Sequence, residues 1–314
     1  MRAMALKPTE EQDKTARAAV PSQVSAFMRG FSIEATRPST AELVALQPLL
    51  PAGTPVYLTA IPGRPHTDLI AGATRLRALG FEPRPHLTAR GLSSHGALDD
   101  LLSRLTEFAG VRRVLVIGGD REQAEGPFTS ALELIESGLL QRAGIAEVDL
   151  AGYPEGHPRL TPDALDRILA AKIEAAEQTG LGVAIVTQFG FDQSAILNWV
   201  RRLRGLGIEH PVRIGMAGPA DLSTLLGFAR RCGVLASAQR LTRQAGLTKH
   251  LLGVNAPDRI IRPLAEAQTS GTLGRIAAHF FSFGGAAATA RWAAAVAAGR
   301  IVLDRADGFG VEPP

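Results

Sequence analysis

Residues able to move protons or grip a polar substrate recur at one kind of place in this sequence, the ends of short apolar runs. Glu34 closes the run Phe31-Ser32-Ile33-Glu34. Thr59 lies near the end of Pro55 to Ala60, and His86 and Thr88 close Pro83 to Thr88. Asp120 follows Gly118-Gly119 after Arg113 to Ile117. Tyr153, Glu155 and His157 follow Ala146 to Leu150, which runs on to Gly152, and Gln188 ends Gly182 to Gln188. A carboxyl set among Phe31, Ile33 and Ala35 is a candidate general acid, because desolvation raises its pKa toward neutrality. The plain alternative for Glu34 is an ion pair with Arg37. Gly118 and Gly119 clear side chains from a place where a planar ring could approach the backbone, and Asp120 adds an anion. The alternative there is a tight turn with Asp120 as a helix N-cap. In Tyr153-Pro154-Glu155-Gly156-His157-Pro158 two prolines stiffen a loop carrying three polar side chains. The Gln188 amide could read the donor and acceptor edge of a heterocycle, with Phe189 or Phe191 as neighbouring apolar surface or as core. Lys172 falls in a helical stretch, where the ordinary expectation is a solvent-facing ammonium.

The elements that must position these groups follow from periodicity. Short apolar runs alternate with longer stretches of helical spacing. The remaining strand candidates are Val212 to Met216 and Ala277 to Phe283. Helices are expected over Ala41–Leu49, Thr67–Leu79, Gly96–Ala109, Thr129–Leu139, Pro162–Thr179, Gln193–Leu206, Asp221–Arg231, Ala236–Leu252, Pro257–Thr269 and Gly285–Ala298. Strands alternating with helices in this way predict a single-domain (β/α)8 TIM barrel, with extra helices between strands seven and eight. The dinucleotide fingerprint of an open doubly wound sheet, GxGxxG after the first strand, is absent. In a barrel, residues at the C-terminal ends of strands converge on one mouth. The expected organisation is a polar N-terminal arm over residues 1–26 and the barrel over 27–314.

Bulk properties narrow the function. The 314 residues are 46% hydrophobic and 20% charged, ordinary for a globular chain able to bury a large core. The one cysteine, Cys232, excludes an internal disulfide, and without a Cys/His cluster no metal site is expected. The net charge is +4 with only 5% aromatics, and the basic residues are scattered rather than interleaved with aromatic ones, which argues against nucleic acid as a partner. The N-terminus lacks the apolar core of a signal peptide, and the Ala-rich stretch from Ala286 to Ala298 is too short and too polar to span a bilayer. A cytoplasmic protein with no membrane partner is the expectation.

Several of these segments together resemble the catalytic domain of the methylenetetrahydrofolate reductase family. They are FSIEATRP (31–38), YLTA (57–60), PHLT (85–88), VLVIGGD (114–120), AGYPEGHP (151–158), Lys172 and VTQFGFD (186–192), with looser matches at IGMAGPA (214–220) and HFFSF (279–283). The resemblance implies a (β/α)8 barrel that interconverts 5,10-methylenetetrahydrofolate and 5-methyltetrahydrofolate with NAD(P)H. It implies Glu34 as the acid at N10 and Asp120 as the anion beside the developing cation. Gln188 and Phe191 would contact the folate. Thr59, His86, Gly118, Gly119, Asp120, Tyr153, His157 and Lys172 would line the cofactor site, occupied in many relatives by FAD. Two departures bear on that cofactor: Gly118 stands where the family has arginine, and Ile168-Leu169-Ala170-Ala171 replaces a lysine-rich stretch. Some relatives pass hydride directly from nicotinamide to folate. Tetrahydrofolate derivatives and NAD(P)H are thus the expected partners, with a homo-oligomer left open. A divergent barrel enzyme on another pterin or one-carbon carrier, and a catalytically silent folate-binding protein, are the alternatives.

Overall fold

The computed structural model describes residues 10–36, 38–234, 254–304 and 308–312, with side chains from Ala18 onward. Eight parallel strands close into a barrel: β1 (Ser32–Ala35), β2 (Pro55–Leu58), β3 (Glu82–Thr88), β4 (Arg113–Ile117), β5 (Glu147–Gly152), β6 (Gly182–Thr187), β7 (Val212–Ala217) and, after a two-residue hairpin of β8 (Ala220–Asp221) with β9 (Val254–Asn255), β10 (Ile276–Phe281). Closure comes from β10, which lies between β7 and β1 with Glu34 opposite Phe281 and Ser32 opposite His279. The expected TIM barrel is therefore the fold.

Helices cover the outside. They are α1 (Glu10–Met28), α2 (Thr40–Val44), α3 (His66–Ala78), α4 (His95–Ala109), α5 (Ala131–Glu136), α6 (Leu139–Arg142), α7 (Pro162–Gln178), α8 (Gln193–Gly205), α9 (Leu222–Cys232), α10 (Asp258–Thr269) and α11 (Ala286–Ala297). The extra helical material between the seventh and eighth barrel strands comprises α9 and α10, and the expected helix over Ala236–Leu252 lies outside the described residues. A terminal hairpin, β11 (Ile301–Leu303) with β12 (Phe309–Val311), packs near α10 and α11.

Two helices differ from their sequence expectation. The stretch Ala41–Leu49 is helical only to Val44, after which turns bond Gln47 N to Val44 O. Pro48 has no N–H to continue the ladder, and it pushes the preceding residue out of helical geometry. Thr129–Leu139 divides at Gly138, which adopts φ 69° between α5 and α6, a left-handed conformation available to glycine at no steric cost. The N-terminal residues form α1, which packs against α10 and α11 and buries Val20, Val24, Phe27 and Met28.

Both prolines of β3 fit a barrel strand. Glu82 N donates to Thr54 O, and donors alternate direction along a strand. Pro83 and Pro85 therefore face away from β2, and the β3–β4 pairing begins only at His86, beyond them.

Candidate active site

Inward-facing positions of the barrel are unusually polar. Ser32, Tyr57, Arg84, Asp149 and His279 are buried inside it. Their charges are matched: Arg84 Nη1 lies 2.9 Å from Asp149 Oδ2 and donates to the Tyr57 hydroxyl at 2.9 Å, while Tyr57 donates to Asp149 at 2.7 Å. A buried pair satisfied in this way tolerates the loss of water, whereas an unpaired member would be costly. The Tyr57 phenol is driven far upward by burial and the adjacent Asp149, so it stays a neutral donor. This network floors the mouth.

Directly above it sits Glu34, only 8% exposed. Thr59 donates to Glu34 Oε1 at 3.3 Å and contacts Thr36 at 3.1 Å. His86 Nε2 lies 3.3 Å from Glu34 Oε2 without the alignment of a hydrogen bond, and His279 Nε2 lies 4.0 Å from the same oxygen. Burial raises the Glu34 carboxyl, opposed in part by His86 and the Thr59 hydroxyl. Burial likewise holds both imidazoles below their ordinary range, His279 to about 3. The carboxyl, its pKa raised, thus lies between two imidazoles whose pKa values are lowered. Arg37, the alternative partner, lies outside the described residues.

Asp120 is exposed on the loop after β4. It caps no helix, because the next one, α5, takes Ser130 as its N-cap. Gly119 turns the chain there with φ 88°, and a Cβ on it would come within 3.2 Å of Thr88. Arg90 staples the loop from behind, donating to the carbonyls of Thr129 at 2.9 Å and Arg121 at 3.1 Å. Burial and the charge of Asp120 raise the Tyr153 phenol, and burial with Asp120 and then Glu34 raises the Cys232 thiol to about 11. Asp120, Tyr153, Cys232 and Glu34 thus lie within electrostatic reach around one mouth.

The two loops that follow β5 and β6 are locked together. Glu155 Oε1 accepts the backbone N–H groups of Phe191 at 2.6 Å and Asp192 at 2.7 Å. Gly190 must lack a side chain, since a Cβ would meet Glu155 Oε1 at 2.6 Å. Asp192 then caps α8 by accepting from Ser194 and Ala195. So Glu155 builds the loop that carries Gln188 and Phe191, while Tyr153 stands edge-on to His157 with ring centroids 5.1 Å apart. Beside Gln188 rises an aromatic wall. Phe189 meets Phe191, Phe281 and Phe283, and Phe283 stacks on Phe228 at 3.9 Å. On the opposite side a cavity of about 1000 Å³ opens between α2, α3 and the ends of β1 to β4, lined by Thr59, Thr88, Gly119, Asp120 and Arg121 among others. Acid, anion and flat apolar surface together suit proton donation to a planar heterocycle that becomes cationic. Among the described residues no group of three His, Cys, Asp or Glu is placed to hold a metal ion.

Comparison with known proteins places the chain in a family. The profile of the methylenetetrahydrofolate reductase family matches residues 63–267. The chain belongs to that family. A methylenetetrahydrofolate reductase of Saccharomyces cerevisiae is 30% identical over 175 residues, 52% of this chain and 27% of the yeast protein. A 5,10-methylenetetrahydrofolate reductase of Pectobacterium carotovorum subsp. carotovorum is 30% identical over 157 residues, 49% of this chain and 50% of its own. The matched stretch therefore spans half or less of these relatives. The same fold recurs in an uncharacterized protein from Clostridium thermocellum that binds two copies of 5-methyl-5,6,7,8-tetrahydrofolic acid, with a TM-score of 0.58, 12% identity and coverage of 89% of this chain and 97% of that one.

Of the residues that the methylenetetrahydrofolate reductase resemblance singles out, Thr59 and His86 each touch Glu34, and Thr59, Gly119 and Asp120 border the cavity. Gln188, Phe191, Tyr153 and His157 lie on the far loops. Lys172 corrects the expectation of a solvent-facing side chain: it is 7% exposed, on the face of α7 that also buries Leu169, Ile173 and Ala176. The sequence reading missed Ser32, Arg84, Asp149, Arg213 and His279. All occupy inward positions of barrel strands, and period-two alternation with Glu34, His86 and Phe281 would have pointed to Ser32, Arg84 and His279.

Among the described residues no helix is long and apolar enough to cross a membrane.

Proposed function

We propose that this family member reduces 5,10-methylenetetrahydrofolate to 5-methyltetrahydrofolate with NAD(P)H, and that Glu34 is the general acid. The observation that carries the reading is the buried Glu34 carboxyl, its pKa raised by desolvation, at the mouth that also carries Asp120. Glu34 gives its proton to N10, the bond from N10 to the methylene carbon breaks, and the electron pair of N5 makes a 5-iminium cation. Asp120 supplies negative charge beside that cation. A hydride from the nicotinamide then adds to the methylene carbon, leaving NAD(P)⁺ and 5-methyltetrahydrofolate, and Glu34 regains a proton from solvent. Gln188 fits the hydrogen-bonding edge of the pterin, and Phe191 with its aromatic neighbours fits an apolar face.

The family resemblance also implies FAD. Its expected residues are divided here: Thr59, Gly119 and Asp120 border the cavity, whereas Gly118 offers no cation for a pyrophosphate and the Lys172 ammonium is buried and pulled down to about 8. These residues do not fit a flavin in the family's manner, and that favours hydride passing directly from nicotinamide. The purified protein is expected to show no flavin absorbance in the visible range while oxidising NAD(P)H in the presence of methylenetetrahydrofolate. A yellow, flavin-loaded sample overturns the direct route.

Glu34→Gln keeps the side-chain shape and removes the acid. Turnover is expected to fall by about 10²-fold or more, with folate binding, followed by titration, within a few-fold of the parent. Unchanged turnover would remove Glu34 from the mechanism.

A further inference from the structure

The acid has an environment of its own, and one part of it is wired. Glu34 is faced by Thr59 from β2, His86 from β3, His279 from β10 and, electrostatically, Cys232 from the end of α9. His279 is faced in turn by Ser32 from β1, Tyr57 from β2, and the charges of Arg213, Asp149 and Arg84 from β7, β5 and β3. Its two ring nitrogens have different surroundings. Nδ1 lies 2.9 Å from Ser32 Oγ, and Nε2 is buried with no hydrogen bond, directed at Glu34 Oε2 at 4.0 Å.

Ser32 decides which nitrogen carries the proton. Arg213 Nη1 donates to Ser32 Oγ at 3.2 Å and to Gly30 O at 3.1 Å. A guanidinium only donates, so the serine hydroxyl must direct its own hydrogen elsewhere. Ala278 O is 3.5 Å away, at the limit for such a bond, whereas His279 Nδ1 is at 2.9 Å. Nδ1 therefore accepts. A neutral imidazole accepting at Nδ1 holds its hydrogen on Nε2, which faces the Glu34 carboxyl.

We propose that His279 is a positioning residue for Glu34, its tautomer set by a relay from Arg213 through Ser32 so that a neutral N–H waits for the carboxylate. This rests on the reading of Glu34 as the acid. While Glu34 is protonated the N–H is not needed, in keeping with the 4.0 Å separation. Once the proton has gone to substrate, a buried anion is left, and a donor aimed at Oε2 stabilises it. Bonds of this kind tighten as the reaction proceeds. Burial, and after it the Arg213 charge, keep His279 from becoming an imidazolium, so the relay supplies a dipole and no competing acid.

Two readouts test it. In the full-length protein, ¹⁵N NMR of the His279 ring should show Nε2 protonated and Nδ1 bare through neutral pH, and Ser32→Ala should mix or reverse the tautomers. A parent protein with Nδ1 protonated, or with a charged ring, overturns the relay. This arm needs no turnover, so inactivity toward folates would sink the functional reading while leaving the tautomer decided. In the kinetic arm, loss of the donor makes Glu34 a weaker acid. Ser32→Ala should lower kcat about tenfold and move the high-pH limb of the rate profile upward, and Ser32→Thr should restore both. His279→Gln, which keeps an N–H donor, should stay nearer the parent than His279→Leu. A Ser32→Ala profile superimposed on the parent's, or equal damage in His279→Gln and His279→Leu, overturns the proposal.

Discussion

Lys172 illustrates how one side chain sets a pH dependence. Its ammonium sits on the inner face of α7 and burial alone holds it at about 8. An unfolded lysine titrates near 10.4. Between those values the unfolded chain binds more protons than the folded one, so stability rises with pH across that window. Below pH 8 the charge is present in both states and the full burial cost applies. Lys172→Met should therefore stabilise the protein by about 2–3 kcal/mol near pH 7 and flatten the rise between pH 8 and about 10.4. Denaturant unfolding at several pH values reads this directly, and an unstabilised variant with the parental slope would show the ammonium to be solvated. Asp120 makes the complementary residue-scale point. The two glycines before it were visible in the sequence, but whether it capped a helix or faced the mouth depended on Ser130, ten residues further on, taking the cap.

At the scale of elements, the strands were the most legible part. Each barrel strand was expected within about two residues of where it lies, because a parallel strand covered by helices must be apolar on its outer face and is bounded by turn residues. Helices were less legible where a single residue interrupts them, as Pro48 and Gly138 do. The first helix was hidden for a different reason. Charged residues dominate its early turns, and the apolar positions Val20, Val24, Phe27 and Met28 find their partners only in α10 and α11, more than two hundred residues away. Val24 is fully buried, so Val24→Ala should cost about 2 kcal/mol, from lost burial and the cavity left behind. A shift of the urea midpoint measures it. An arm lying loosely on the surface would show almost no change.

For the whole molecule, the site divides by how its residues could be found. Glu34, His86 and Gln188 stand at or near the tips of strands, where a linear reading looks for chemistry. Ser32 and His279 lie deeper, two positions before Glu34 and Phe281; alternation can mark each of them, but only ring closure makes their strands neighbours. Glu155 was visible as part of a polar loop, yet its use is to bind two amides of the next loop, a function legible only in three dimensions. The aromatic wall has the same character, since Phe189, Phe228 and Phe283 come from three different βα units.

That closure has a consequence for how the protein comes into being. Ser32 and His279 are 247 positions apart and meet only when β10 slots between β7 and β1. A chain leaving the ribosome displays Glu34 well before the strand that completes the surroundings of that carboxyl. Until then Glu34 has His86 and Thr59 but neither the imidazole from the last barrel strand nor the part of the aromatic wall that Phe281 and Phe283 supply. A nascent or truncated barrel would thus carry the Glu34 carboxyl without its full surroundings, and any activity that depends on them would report that the ring has closed.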